Sequence, residues 1–284
     1  MSDLQARVSQ LWIYPVKSCG GVSVLSANLT QTGLAWDRAW MVVDAKGDFV
    51  TQRQAPRMAL IEPKIRHADM VLRAPGMLAL HIALYEVEEP VEVTLWGEQV
   101  KAYDMGALAG QWFTDFLGQT DEGRALGPLR LVRFDPDFQR PSSLDWTQGE
   151  QALNQFSDGY PLLVISQAAL DAFNQRLAEQ GQPAVEMARF RPNLVLSEVD
   201  AHMEDHAQTL TIATEQRPVS LRPVKPCPRC SIPNLDPKTA QAQPVVGEVL
   251  ASYRQDARLQ GAVSFGMNAI VTSGLVPADG PEAE

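Results

Sequence analysis

Short runs of alternating apolar and polar residues dominate this chain, and long helical stripes are few. The stretch "VSQLWIYPVKSC" reads as a strand that runs out into a loop. In "AWMVVDAKGDFVTQR", residues 41–43 and 49–51 flank a turn over 44–48 that contains Gly47, which predicts a hairpin. "VEVTLWGEQVKAYD" predicts a second hairpin, turning at Trp96, Gly97 and Glu98, and "NLVLSE" and "LTIATEQRPVSLRPVKP" predict further strands. Three stretches carry the helical period instead. "DMGALAGQWFTDFLG" predicts a helix capped by Asp104 and stopped near Gly118, with Leu108, Trp112 and Phe116 on one face. "SQAALDAFNQRLAEQG" has Ser166 as its N-cap, a stripe of Leu170, Phe173 and Leu177, and Gly181 beyond its end. "PVVGEVLASYRQ" places Pro244 at a first helical turn. The pattern predicts a β-rich α+β fold. The polar, Gly-containing stretch 118–128 divides it into units over residues 1–122 and 123–284, with no internal repeat. The acidic tail "SGLVPADGPEAE" is expected to fray.

Composition narrows the class. The chain has 284 residues, 45 % hydrophobic and 20 % charged, ordinary for a globular protein. It holds no apolar run of about 18 residues, so no membrane span is expected. No basic segment followed by an apolar one opens the chain, so no secretion signal is expected either. Three cysteines are too few and too clustered for a disulfide framework, which points to a cytoplasmic protein with reduced thiols. A net charge of −10 argues against broad nucleic-acid binding, but not against a local anion pocket.

The candidate chemistry lies in "VKPCPRCSIPNLDP", which holds Cys227 and Cys230. A thioredoxin-like dithiol wants a helix after the pair, and Pro233 and Pro237 oppose one. A closed zinc site needs about four ligands. The remaining cysteine, Cys19, is remote in sequence, and "HMEDH" around His202 and His206 reads as a solvated loop. Two plain structural cysteines remain open. So does a single soft thiolate that completes the coordination of a metal held by an organic cofactor. That use would require a positive, hydrogen-bonding pocket. Isolated polar residues beside predicted strands offer one: Lys17 and Ser18, Arg38, Asp158 with Gly159 and Tyr160, and Arg191 with Asn193.

Taken in order, "YPVKSC", "DRAW", "TQRQAPRMALI", "FSDGYPLLVIS", "RFRPNLVL", "PCPRCSIPNLDP" and "FGMN" resemble the MOSC proteins with an N-terminal MOSC barrel. Within that family the set is similar to bacterial YcbX-type proteins and the mitochondrial amidoxime-reducing component, over almost the whole chain. The resemblance implies a MOSC N-terminal β-barrel-like domain followed by a MOSC β-barrel domain. It also implies molybdenum on a molybdopterin, with no pyridoxal phosphate and no iron–sulfur cluster in this chain. The metal ligand falls on Cys230 and not on Cys227. Lys17, Ser18, Arg38, Arg191 and Asn193 fall on cofactor contacts, as do Asp158, Gly159 and Tyr160 and, around the cysteine, Pro228 and Arg229. The sequence reads D-G-Y-P where relatives carry a D-x-S-P-like loop, so hydroxyl contacts there give way to backbone ones. After Gly274 it lacks the relatives' V-G-D-like turn, and its 284 residues include no ferredoxin-like domain.

The implied activity is reduction of small N-hydroxylated compounds, a detoxifying reaction. Asp158 would orient the pterin or relay a proton, and Arg229 would favour the Cys230 thiolate. The other implied class is a carrier of cofactor or sulfur that uses Cys230 without turnover. Three cysteines with one on the metal leave no cluster ligands, so electrons should come from a separate ferredoxin- or flavin-dependent reductase.

Overall fold

A computed structural model describes residues 6–275. Its largest sheet has seven strands, in the order Leu210–Ile212, Val219–Pro228, Ser264–Ser273, Leu162–Ser166, Leu194–Ser197, Arg7–Ile13 and Val22–Val24. Leu162–Ser166 is buried along its whole length, so both faces are covered and it reads as a continuous apolar run. It pairs in parallel with Leu194–Ser197, and the crossover between them is the helix Gln167–Glu179. That helix starts as the sequence predicts: Ser166 Oγ accepts from Ala169 N at 3.3 Å, and Leu170, Phe173 and Leu177 are buried. Helix Val245–Tyr253 packs beside it over the same apolar cluster.

A second sheet runs Trp40–Val43, Arg130–Phe134, Glu98–Asp104, Pro90–Leu95. The hairpin of Pro90–Leu95 and Glu98–Asp104 turns at Trp96 and Gly97, with φ of 54° and 84°. Two successive left-handed residues give the turn whose twist matches the strands. The expected hairpin at 41–51 keeps its first arm, while its return arm shrinks to a bridge between Val43 and Phe49. Three strands that the alternation does not single out, Glu62–Ile65, Asp69–Arg73 and Leu80–Ala83, form a further sheet, and Leu29–Thr30 pairs with Gly33–Leu34. None of these sheets closes on itself by hydrogen bonds among the described residues.

Strand pairing runs across the stretch 118–128 in both directions. Arg7–Ile13 pairs with Leu194–Ser197, and Arg130–Phe134 pairs with Trp40–Val43 and Glu98–Asp104. The loops after the N-terminal strand are thereby brought against those of the second half.

Two local expectations are corrected. Helix Ala107–Leu117 buries Trp112, Phe113, Phe116 and Leu117, while Leu108 is exposed. Asp104 ends a strand, and its carboxylate accepts from Gly106 N, so it shapes the entry loop instead of capping the helix. The "HMEDH" segment is not a solvated loop: Glu204 is fully buried and accepts from Ser166 N at 3.0 Å, and Asp205 pairs with Arg254 at 2.6 Å. Glu204 faces inward because it satisfies the N–H of Ser166 at the start of the crossover helix, while His206 is exposed. The tail "VPADGPEAE" lies outside the described residues.

Candidate cofactor site

Four segments distant in sequence meet at one end of the large sheet. The strand Arg7–Ile13 continues through Tyr14 and Val16 into Lys17, whose backbone N–H donates to Trp40 O at 2.8 Å. Arg38 N donates to Tyr14 O, and Arg38 O accepts from Phe156 N, which ties both loops to the segment carrying Asp158. Asn193 N donates to Leu163 O at 2.8 Å and its side-chain oxygen accepts from Leu163 N, fixing the loop of Arg191 to the same sheet. Ser18, Arg38 and Arg191 hold φ of 67°, 50° and 60°. Left-handed backbone at residues other than glycine carries strain and collects where structure serves a site.

All eleven residues singled out in the sequence line one cavity of about 580 Å³: Lys17, Ser18, Arg38, Asp158, Gly159, Tyr160, Arg191, Asn193, Pro228, Arg229 and Cys230. Seven of the residues that line it are Lys or Arg and two are carboxylates, Glu98 and Asp158. The cavity is thus a basic patch on an acidic chain. Sequence reasoning missed Arg53, Trp96, Arg140 and Lys225. Arg140 is nearly buried and donates to Glu98 and to the carbonyls of Gln155 and Ser157, bracing the Asp158 loop. Arg53 and Lys225 lie inside quoted motifs that do not single them out, and Trp96 and Arg140 are placed by contacts remote in sequence, to Asp158 and Glu98.

The cations are held tightly. Lys17 Nζ donates to Asp158 Oδ1 at 2.5 Å and to Phe156 O at 2.8 Å. Its pKa lies below the ordinary lysine value, because the desolvation of burial outweighs the Asp158 carboxylate. Desolvation would raise the carboxyl of Asp158, but Lys17, Arg38 and a hydrogen bond from Trp96 Nε1 hold it well below the usual carboxylate range. Asp158 is therefore ionised at neutral pH.

Arg38 donates to Asp37 at 2.5 Å and to Asn193 Oδ1 at 3.1 Å. Burial works against its charge, but Asp37 and Tyr14 more than compensate and its pKa is raised. Arg191 donates to Cys19 O at 2.7 Å, and its pKa is lowered to about 10, mainly by burial. Both guanidinium groups stack within 4.4 Å of the Tyr14 ring centre. The Tyr14 hydroxyl is buried without a hydrogen-bond partner, and burial pushes its pKa up to about 12.

The three thiols have separate environments. Cys19 is buried, and desolvation pushes its pKa up to about 12, so it is an inert core thiol. Cys227 receives Arg229 Nη1 at 3.2 Å, yet burial still raises its pKa. Cys230 is exposed on the cavity wall. The expectation that Arg229 serves Cys230 is corrected: its other amino group donates to Phe190 O. In an extended chain, residues two apart share a side and neighbours do not, so Arg229 falls beside Cys227. A free soft thiol, a set of cations and a buried donor without a partner, Arg229 Nε, suit a metal whose remaining ligands come from an anionic organic cofactor.

Comparison with known proteins supplies the class. Residues 5–120 match the MOSC N-terminal beta barrel domain, and residues 152–279 match the MOSC domain. The chain belongs to the MOSC-domain family. Among its relatives, mitochondrial amidoxime reducing component 2 of Rattus norvegicus is 35% identical over 87% of this chain and 72% of its own length. Mitochondrial amidoxime-reducing component 1 of Homo sapiens shows the same identity and coverage. Molybdenum cofactor sulfurase of Bos taurus is 27% identical over 95% of this chain but only 31% of its own length. A molybdenum-cofactor-related role follows from this membership. No described helix is long and apolar enough to cross a membrane.

Proposed function

We propose that this chain is a molybdenum-cofactor-dependent reductase of N-hydroxylated compounds, converting hydroxylamines, amidoximes and N-hydroxylated bases to amines and amidines. The observation that carries the reading is the single cavity in which an exposed Cys230 thiol faces a wall of lysines and arginines. Relatives named amidoxime-reducing components support the same chemistry. Cys230 would hold the metal, and Lys17, Arg38 and Arg191 would hold the cofactor's phosphate through charge-assisted hydrogen bonds. Ser18, Gly159, Tyr160, Asn193, Pro228 and Arg229 would complete the cradle. When bound, the cofactor supplies a metal that removes oxygen from nitrogen with two electrons and two protons, leaving amine or amidine and water. Asp158 keeps Lys17 and Trp96 in place and stays ionised. Electrons come from a separate ferredoxin- or flavin-dependent reductase.

The cytoplasmic setting belongs to the same proposal. It rests on the free cysteines, and the relatives' names say mitochondrial. One observation favours a second reading, a carrier of cofactor or sulfur: the relative named molybdenum cofactor sulfurase aligns over nearly all of this chain. Metal analysis, pterin fluorescence after oxidation and a reduced-viologen assay with benzamidoxime separate the two. The reductase reading expects molybdenum, pterin and amidine formation. Loaded protein that forms no amidine overturns it in favour of the carrier.

A further inference from the structure

The cavity holds a cation that the cofactor reading leaves unused. Lys17, Arg38 and Arg191 all donate to carboxylates or carbonyls of the protein. Lys225 does not. Its ammonium has no hydrogen-bond or carboxylate partner among the described residues, and it lies 5.2 Å from the centre of the Trp146 ring and 5.8 Å from that of Tyr160. The residue is half-buried in the strand Val219–Pro228. A partly desolvated charge without a counter-ion is costly unless an anion can reach it, and here the open side is the cavity.

Sheet register gives its position. Lys225 faces Asn268, Asn268 faces Leu163, and Asn193 donates its backbone N–H to Leu163 O. These four residues line the cavity as one row over adjacent strands. Three spacings of about 4.8 Å put the Lys225 backbone roughly 14 Å from that of Asn193, which holds Arg38. The charged ends also keep different company: Arg38 and Arg191 stack on Tyr14, whereas Lys225 lies against Trp146 and Tyr160. Lys225 is therefore placed to meet an anionic group other than the one Arg38 and Arg191 would hold, with Tyr160 bordering both.

We propose that Lys225 receives a carboxylate or phosphate carried by the substrate, so that the substrates of this enzyme are anionic N-hydroxylated compounds. The proposal rests on the reductase reading and narrows its substrate class. Flat aromatic walls beside the ammonium suit a planar body behind the anionic group.

The test compares 4-carboxybenzamidoxime with its uncharged counterpart, 4-carbamoylbenzamidoxime, in the loaded wild-type protein and in Lys225→Met. Turnover with reduced viologen is normalised to pterin content. Calorimetry with the unreactive amidines, 4-carboxybenzamidine and 4-carbamoylbenzamidine, measures binding without turnover. Wild type should prefer the carboxylate about tenfold to a hundredfold in both kcat/KM and Kd, the range for one charged contact. Lys225→Met should bring both ratios to about one with pterin content kept. A 4-phosphono analogue decides the source: tighter handling than the carboxylate assigns a phosphate, and weaker handling a carboxylate. Equal handling of acid and amide by wild type overturns the inference and leaves the reductase reading standing. Loss of pterin in Lys225→Met also overturns it, because Lys225 then serves the cofactor. Loaded protein that reduces neither compound removes the reductase reading and this substrate assignment with it.

Discussion

Cys227 and Cys230 lie three residues apart and both line the cavity, yet Cys227 carries an arginine against its sulfur while Cys230 is exposed. That difference separates their mutants. Cys230→Ala should abolish amidoxime reduction even where pterin remains bound, and Cys227→Ala should keep substantial activity. Viologen-driven turnover of the two purified variants checks this, and full activity in Cys230→Ala removes the ligand assignment. Arg191 makes the second prediction at this scale. Its loss should weaken the hold on cofactor by about tenfold to a hundredfold, since one charge-assisted contact contributes about 1.5–3 kcal/mol. Pterin content of Arg191→Ala protein prepared under limiting cofactor is the measurement. Unchanged content in a folded variant would count against the anion pocket.

The start of the crossover helix is the element with the most to test. Ser166 Oγ accepts from both Ala169 N and His202 N, so helix and following loop share one cap. His202 sits there in a left-handed conformation with neither ring nitrogen hydrogen-bonded, and its pKa is lowered to about 4, mainly by burial and then by Arg254. A base whose folded pKa lies below its unfolded value of 6.5 makes stability fall with falling pH over the range where the unfolded chain is protonated and the folded one is not. Its stabilising effect is therefore complete above pH 6.5 and is lost as pH falls from 6.5 toward 4. Glu204, pushed up by burial, works in the opposite sense, so the difference between proteins is the readout. His202→Asn keeps a residue that tolerates the left-handed backbone and removes the titration. Denaturant midpoints at pH 7, 6 and 5 should fall less steeply for this variant than for wild type. Identical slopes would show that His202 does not titrate on unfolding.

At the scale of the whole molecule, charge is segregated. The chain carries a net charge of −10, while seven cations converge on one cavity. Fields of this kind concentrate small anions at the cavity mouth and leave the rest of the surface acidic. The same inventory bears on electron supply. Three cysteines, one of them on the metal in the proposed reading, cannot build a cluster that takes four ligands. Purified alone, the loaded protein should reduce benzamidoxime with reduced viologen and should not do so with NADH. Sustained NADH-driven turnover, or an iron–sulfur absorption band, would contradict a separate donor.

Much of this was legible along the chain because it is local. The hairpin at Trp96–Gly97 follows from alternation and turn chemistry, and the crossover helix from a serine cap and a stripe of Leu170, Phe173 and Leu177. The ordered motifs named the family and eleven residues that line the cavity. What the sequence could not carry depends on which remote groups become neighbours. Leu108 matches the helical period but faces solvent, since the surface that packs against a helix is chosen by the sheet beneath it. Arg229 is adjacent to Cys230 in sequence and bonded to Cys227 in space, because side chains alternate in extended backbone. Lys225 and Arg53 lie inside named motifs without being marked by them, and Lys225, like Arg140, enters the cavity through strand pairings and loop contacts far from it in sequence. Local propensity and motif chemistry are written in short windows of the chain; electrostatic partnership and burial are set by distance in space, which only the tertiary fold decides.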